Sequence, residues 1–204
     1  MKLNRNWINL CLWLMVAVGM VGCTDRLYKL KQTPEEIAIN LAKETDWENF
    51  IVSEDSMEAI QTISVHRQDL VLVRFRVEYP EGGVEVCEML YAIQKFPIYK
   101  TKSNTSSGLC HETDDYSNPV PIMVVSSWER TSFFQPAYST IYGYVRNPDV
   151  SKIKITWEDG DSQIIEVKES SYMAVRDGQV APSKIEVFNR ANEIIFTNNM
   201  GEKK

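Results

Sequence analysis

The second half of this chain is a run of short alternating stretches, each closed by a turn signal. Ile153, Ile155 and Trp157 fall on one side of their stretch and Lys152, Lys154 and Thr156 on the other. That period of two belongs to a β-strand with one buried face. The same reading predicts strands over residues 138–145, 152–157, 163–167, 172–176, 184–189 and 193–197. Asp159-Gly160 and Asn189-Arg190-Ala191-Asn192 supply the tight turns between neighbours. Short strands at this spacing point to a small antiparallel sandwich. Ile153, Ile155, Trp157, Ile165 and Val167 are its expected interior, and Lys152 and Lys154 its surface. This piece of about 65 residues is expected to fold alone, though only with marginal stability, because small domains bury a smaller share of their surface.

The first half opens differently. Thr33-Pro34-Glu35-Glu36 is a capping box with proline in the first helical turn. Ile37, Ala38, Leu41 and Ala42 then form one apolar stripe, so a helix is predicted to about Glu44, with Trp47 and Phe50 docking its end. Val71, Val73, Phe75, Val77 and Tyr79 alternate with Arg74, Arg76 and Glu78, which reads as a half-buried strand. Pro80-Glu81-Gly82-Gly83 turns it into a return strand over 84–93. Residues 59–66 and 122–128 are further strands, and the polar stretch 102–121 is a long exposed loop. The expected class is therefore α+β: an N-terminal helix with a small antiparallel sheet over 33–134, then a small antiparallel β-sandwich over 135–204.

Lys2 and Arg5 precede an apolar run from Trp7 to Val21 that ends in Met20-Val21-Gly22-Cys23. A basic start, a short apolar run and a small residue make a secretory signal peptide, here residues 1–22. The last four residues resemble the lipobox of bacterial lipoproteins, although Met20 stands where that family has Leu. The resemblance implies that the Cys23 thiol takes a diacylglyceryl group and that the chain is cut before it. The run is short for a helix crossing roughly 30 Å of hydrocarbon, which makes an uncleaved anchor the weaker alternative. An ordinary secretory signal with Cys23 left free is the other. Residues 23–32 then form a tether of roughly ten residues, at most about 33 Å long. Arg26, Lys29 and Lys31 within it suit anionic headgroups as well as plain solvent.

Tyr142-Gly143-Tyr144-Val145, Ile153 and Ile155, Asp159-Gly160, and Ile194 and Ile195 together resemble a pattern in uncharacterised lipoproteins of Gram-positive bacteria. The resemblance covers about 60 residues and implies location and fold, without an activity.

Charge and cysteine content narrow the function. Of 22 basic residues, loss of Lys2 and Arg5 leaves 20 against 28 acidic ones. An acidic chain of this kind argues against nucleic acid as a partner. Cys87 and Cys110 are a disulfide candidate outside the cytoplasm. The competing reading joins them with His111, beside Glu112, Asp114 and Asp115, in a metal-binding or redox-sensing site. The disulfide is favoured, because the cluster lacks a second ligand pair. Only two histidines exist, His66 and His111, and no nucleophile elbow, phosphate loop or acid–base pair stands out. No catalytic residue, cofactor or metal is assigned.

The remaining candidate is the segment between the halves, with Trp128, Arg130, Phe133, Phe134 and Tyr138. Aromatic rings beside an arginine are what interface hot spots use, although the same rings can fill a seam. The chain thus reads as a lipid-anchored extracytoplasmic interaction or binding protein, tied to membrane lipid through Cys23 and able to meet an envelope protein. An envelope enzyme of unfamiliar type is the third class.

Overall fold

The computed structural model describes residues 32–45, 47, 50–66, 68–94, 100–101, 109–112, 120–128 and 137–200. Twelve strands and one helix are found among them. The helix, α1 (Pro34–Glu44), starts as its sequence dictates. The Thr33 hydroxyl accepts from the Glu36 amide at 3.2 Å, and the Glu36 carboxylate accepts from the Thr33 amide at 3.0 Å. Ile37, Ala38 and Ala42 are buried. The helix ends against Trp47, whose indole N–H donates to the Ala42 carbonyl at 3.1 Å and whose ring lies 4.8 Å from that of Phe75.

Under the helix lies the first sheet. It holds β1 (Ile51–Val65), β2 (Gln68–Glu78) and β3 (Val84–Gln94), with β4 (Lys100–Thr101) and β5 (Leu109–Glu112) both paired to β3. Val71, Val73, Phe75 and Val77 of β2 pack with α1, together with Cys87, Met89, Tyr91 and Ile93 of β3. The opposite face is covered as well. Leu70, Leu72, Leu90 and Ala92 are buried against Tyr138, Tyr142 and Met173 of a second sheet. That second sheet is β6 (Ile122–Trp128), β7 (Tyr138–Tyr144) and β10 (Ser171–Asp177), in the order β10-β7-β6. Its other face, with Ile141, Tyr172 and Ala174, packs on Ile153, Ile155, Trp157, Ile185 and Val187 of the third sheet. The third sheet runs β12 (Ile194–Asn199), β11 (Pro182–Asn189), β8 (Val150–Trp157), β9 (Ser162–Glu166). The layers are helix, sheet, sheet, sheet, with every strand pair antiparallel.

The expected α+β class is corrected by this arrangement. Among the described residues the molecule is mostly β, and the single helix found there covers part of one sheet face rather than forming a layer of its own. The reason lies in β2 and β3. Leu70-Val71-Leu72-Val73 and Met89-Leu90-Tyr91-Ala92-Ile93 are continuous apolar runs, which require cover on both faces. The second sheet supplies it. Its strands β6 and β7 pair along seven positions from either side of the expected boundary at 134/135.

Other differences are local. β1 starts at Ile51, well before the expected 59, and carries a large bulge: the five-residue step from Ser53 to Glu58 covers the two-residue step from Arg76 to Arg74 on β2. β5 interrupts the stretch expected as loop, opposite Glu85–Glu88. Ile153, Ile155 and Trp157 are buried as expected, while Ile165 and Val167 are half-buried. Lys152 and Lys154 are half-buried too, reaching Glu166 at 3.8 Å and Glu186 at 3.4 Å.

Candidate binding cleft

On β2, the polar face begins where the second sheet stops covering it. Leu70 and Leu72 are fully buried, the Arg74 side chain is 14% exposed, and Arg76 is exposed. Arg74 stands directly opposite Glu88 of β3. Glu88 is wholly buried, and its Oε1 accepts from Arg74 Nη2 at 3.1 Å and Nε at 3.3 Å. The Ser171 hydroxyl, on β10, donates to the same Glu88 oxygen and accepts from Arg74 Nη2. Arg74 Nη2 also donates to the Glu169 carbonyl at 2.5 Å. Burial pushes the Glu88 carboxyl above its ordinary range, against the opposing pull of Ser171 and Arg74. Glu88 Oε2 has no partner among the described residues.

Glu169 and Ser170 form the turn from β9 to β10, closed by the Lys168 and Ser171 amides, each donating to the other's carbonyl at 2.9 and 2.7 Å. Both central residues are left-handed, with φ 49° and 68°. Across from that turn is the β1 bulge, where the Ser56 hydroxyl donates to the Ser53 carbonyl and accepts from the Arg76 amide. Bulge and turn wall a cleft of about 600 Å³ whose floor is Arg74 and Arg76. Asp55, Glu58, Tyr144, Glu169 and Ser170 also line it. Arg74 lies over the Tyr144 ring at 5.9 Å and 3.9 Å from Glu58. The volume is that of an ordinary small-ligand site. The lining offers fixed guanidinium donors and carboxylate acceptors, which suits binding of a polar molecule. A buried hydroxyl on a carboxylate can serve as a nucleophile and base elsewhere, but Ser171 and Glu88 are both fully buried and cannot meet a substrate.

Of the candidate site residues singled out in the sequence, those that the structure describes do not line this cleft. Tyr138 is 5% exposed in the core between the first and second sheets, and its hydroxyl donates to Gln68 at 2.8 Å. Burial pushes its phenol upward. Trp128 pairs with Tyr138 through the backbone at the end of β6. Arg130, Phe133, Phe134 and the lipidation candidate Cys23 lie outside the described residues. Cys87 and Cys110 face each other across β3 and β5 with their sulfurs 2.04 Å apart, a disulfide. Cys87 is fully buried, and the bond leaves neither sulfur free as a metal ligand. His111 sits in β5 opposite Val86.

Sequence reasoning passed over Arg74, Glu88 and Ser171, taking Arg74 as a solvated residue. One signal was available. A hairpin turning at residues 80–83 places Arg74 opposite Glu88, and opposite charges directly across two largely apolar strands mark a pair. Ser171, 83 residues away from Glu88, leaves no local trace.

No helix among the described residues is long and apolar enough to cross a membrane. Comparison of the chain with protein-family models, with curated proteins and with solved structures gave no match.

Proposed function

We propose that this is a lipid-anchored, extracytoplasmic binding protein that takes a small polar ligand in the cleft between the β1 bulge and the β9–β10 turn. The location rests on the Met20-Val21-Gly22-Cys23 ending of the apolar run, with membrane lipid joined through Cys23. The Cys87–Cys110 bond fits an oxidising compartment. The observation that carries the binding role is Arg74. Three acceptors from β3, β10 and the β9–β10 turn hold its guanidinium at the cleft floor, which is the rigid support a recognition site requires. The surrounding charges are of both signs, so the ligand carries hydrogen-bonding groups rather than an apolar body. Contact with an envelope protein through Trp128, Arg130, Phe133 and Phe134 is a separate proposal that rests on the sequence of that segment.

The test is an amide NMR titration with a panel of amino acids, sugars and phosphate esters, run on the wild type and on Arg76→Ala. A ligand of this cleft shifts residues 53–58, 144 and 169–170 together, and Arg76→Ala weakens it. If no compound moves those amides, or if Arg76→Ala leaves every affinity unchanged, the cleft is not the binding site.

A further inference from the structure

We propose that Arg74, Glu88 and Ser171 form a proton-operated latch that fastens the β9–β10 turn to the first sheet and thereby sets the shape of the cleft. This goes beyond the binding role and does not depend on it.

The turn is a part that needs fastening. Glu169 and Ser170 both adopt the left-handed conformation, which side-chain-bearing residues occupy at a cost. Beyond its own two closing bonds, contacts from the end of β7 and from β2 hold it. The Val145 amide donates to the Ser170 carbonyl at 2.7 Å, and Arg74 donates to the Glu169 carbonyl. The second contact comes from the first sheet and depends on where Arg74 points. Glu88 decides that, because an ionised carboxylate fixes the guanidinium through charge-assisted bonds.

Protonation removes the hold. A neutral Glu88 is no longer a counter-ion, while Arg74 stays charged at every accessible pH. A guanidinium left without its partner turns toward the remaining acids, Glu58 of β1 at 3.9 Å from Nη1 and Asp55 in the same cleft. The groups facing Glu88 oppose protonation, and burial favours it. Arg74 from β2 and Ser171 from β10 stabilise the carboxylate, but burial outweighs them and raises its proton affinity. Tyr172 of β10 points to the opposite side of its sheet, and its phenol is pushed upward by burial first and by the Glu88 charge second, so it stays neutral throughout. Tyr144 from β7 lies beneath Arg74. One proton is taken up when the latch opens.

The test follows the Glu88 carboxyl by residue-specific carbon NMR, and hydrogen exchange at the Val145, Lys168 and Ser171 amides, across mildly acidic pH. The latch predicts a Glu88 midpoint above the ordinary glutamate value of about 4.3. Protection of the three amides, corrected for intrinsic exchange, falls about tenfold through that midpoint, the scale set by losing one hydrogen bond to a charged group. Glu88→Gln, which mimics the protonated group, shows the low protection at every pH. A midpoint at or below the ordinary value overturns the latch, as does protection that stays flat through it. Should Glu88→Gln fail to fold, the two wild-type measurements decide alone.

Discussion

Ile141 and Tyr142 are consecutive residues of β7, both fully buried, and they belong to different cores. Ile141 points into the space shared with the third sheet, and Tyr142 into the space shared with the first. A sheet whose β7 and β10 bury apolar side chains on both faces cannot stand alone in water, so it joins the two ends of the molecule into one packed stack. Unfolding is therefore expected as a single transition. Ile141→Ala and Tyr142→Ala should each cost about 2–5 kcal/mol, as for other large-to-small changes in cores. Far-ultraviolet dichroism and tryptophan fluorescence should give coincident denaturation curves for both. A fragment of residues 135–200 should fail to fold, because it lacks β6 and bares Tyr138, Tyr142 and Met173.

The Arg74–Glu88 pair separates two effects of burying charge. Arg74→Ala strands a fully buried carboxylate and should cost about 3–5 kcal/mol. Replacing both partners, Arg74→Met with Glu88→Leu, should recover most of that loss, because the desolvated charges are gone. Urea denaturation of the single and double variants measures the difference.

The disulfide closes a loop with a sequence separation of 23. The chain-entropy relation then predicts a loss of about 3 kcal/mol when Cys87 and Cys110 are both changed to Ala. Mass spectrometry of alkylated, unreduced protein should find no label on either residue.

Acid should act on Glu35 in the opposite sense to Glu88. The Thr62 hydroxyl donates to Glu35 at 2.6 Å, and that bond leads the causes holding its carboxyl below the usual range. A carboxyl with a lowered folded-state pKa stabilises the fold above its unfolded pKa. That stability is lost as pH falls through the folded value. Glu88, with a raised value, destabilises the fold above its folded pKa and ceases to do so as it protonates. Thr62→Val should therefore flatten the acid limb of a stability–pH curve, and Glu88→Gln should raise its neutral limb relative to the acid one.

How much of this was legible depends on range. The capping box at Thr33–Glu36, the turns at Gly82-Gly83 and Gly160, and the alternation of Ile153, Ile155 and Trp157 are local, and each appears where the residues imply. The first strand was hidden at its start because Ser53-Glu54-Asp55-Ser56 has the composition of a loop and sits in a bulge. The second cover on β2 was hidden because Val71 to Tyr79 also satisfies a one-sided alternation. Only the continuous run Leu70 to Val73 argued otherwise. β9 and β10 are neighbours in sequence but belong to different sheets, which no periodicity reports. The cleft was invisible for the same reason. Its walls come from β1 and from the turn beside β10, brought together only by the packing of the second sheet on the first.

The most direct test of the account is the mature N-terminus. Intact-mass and peptide spectrometry of protein taken from membranes should show a chain that begins at Cys23 and carries diacylglycerol on its sulfur. Cys23→Ser should abolish both the lipid mass and the membrane fraction. A wild-type chain that still begins at Met1, or one cut in this region with an unmodified Cys23, would contradict the anchored reading and with it the proposed site of action.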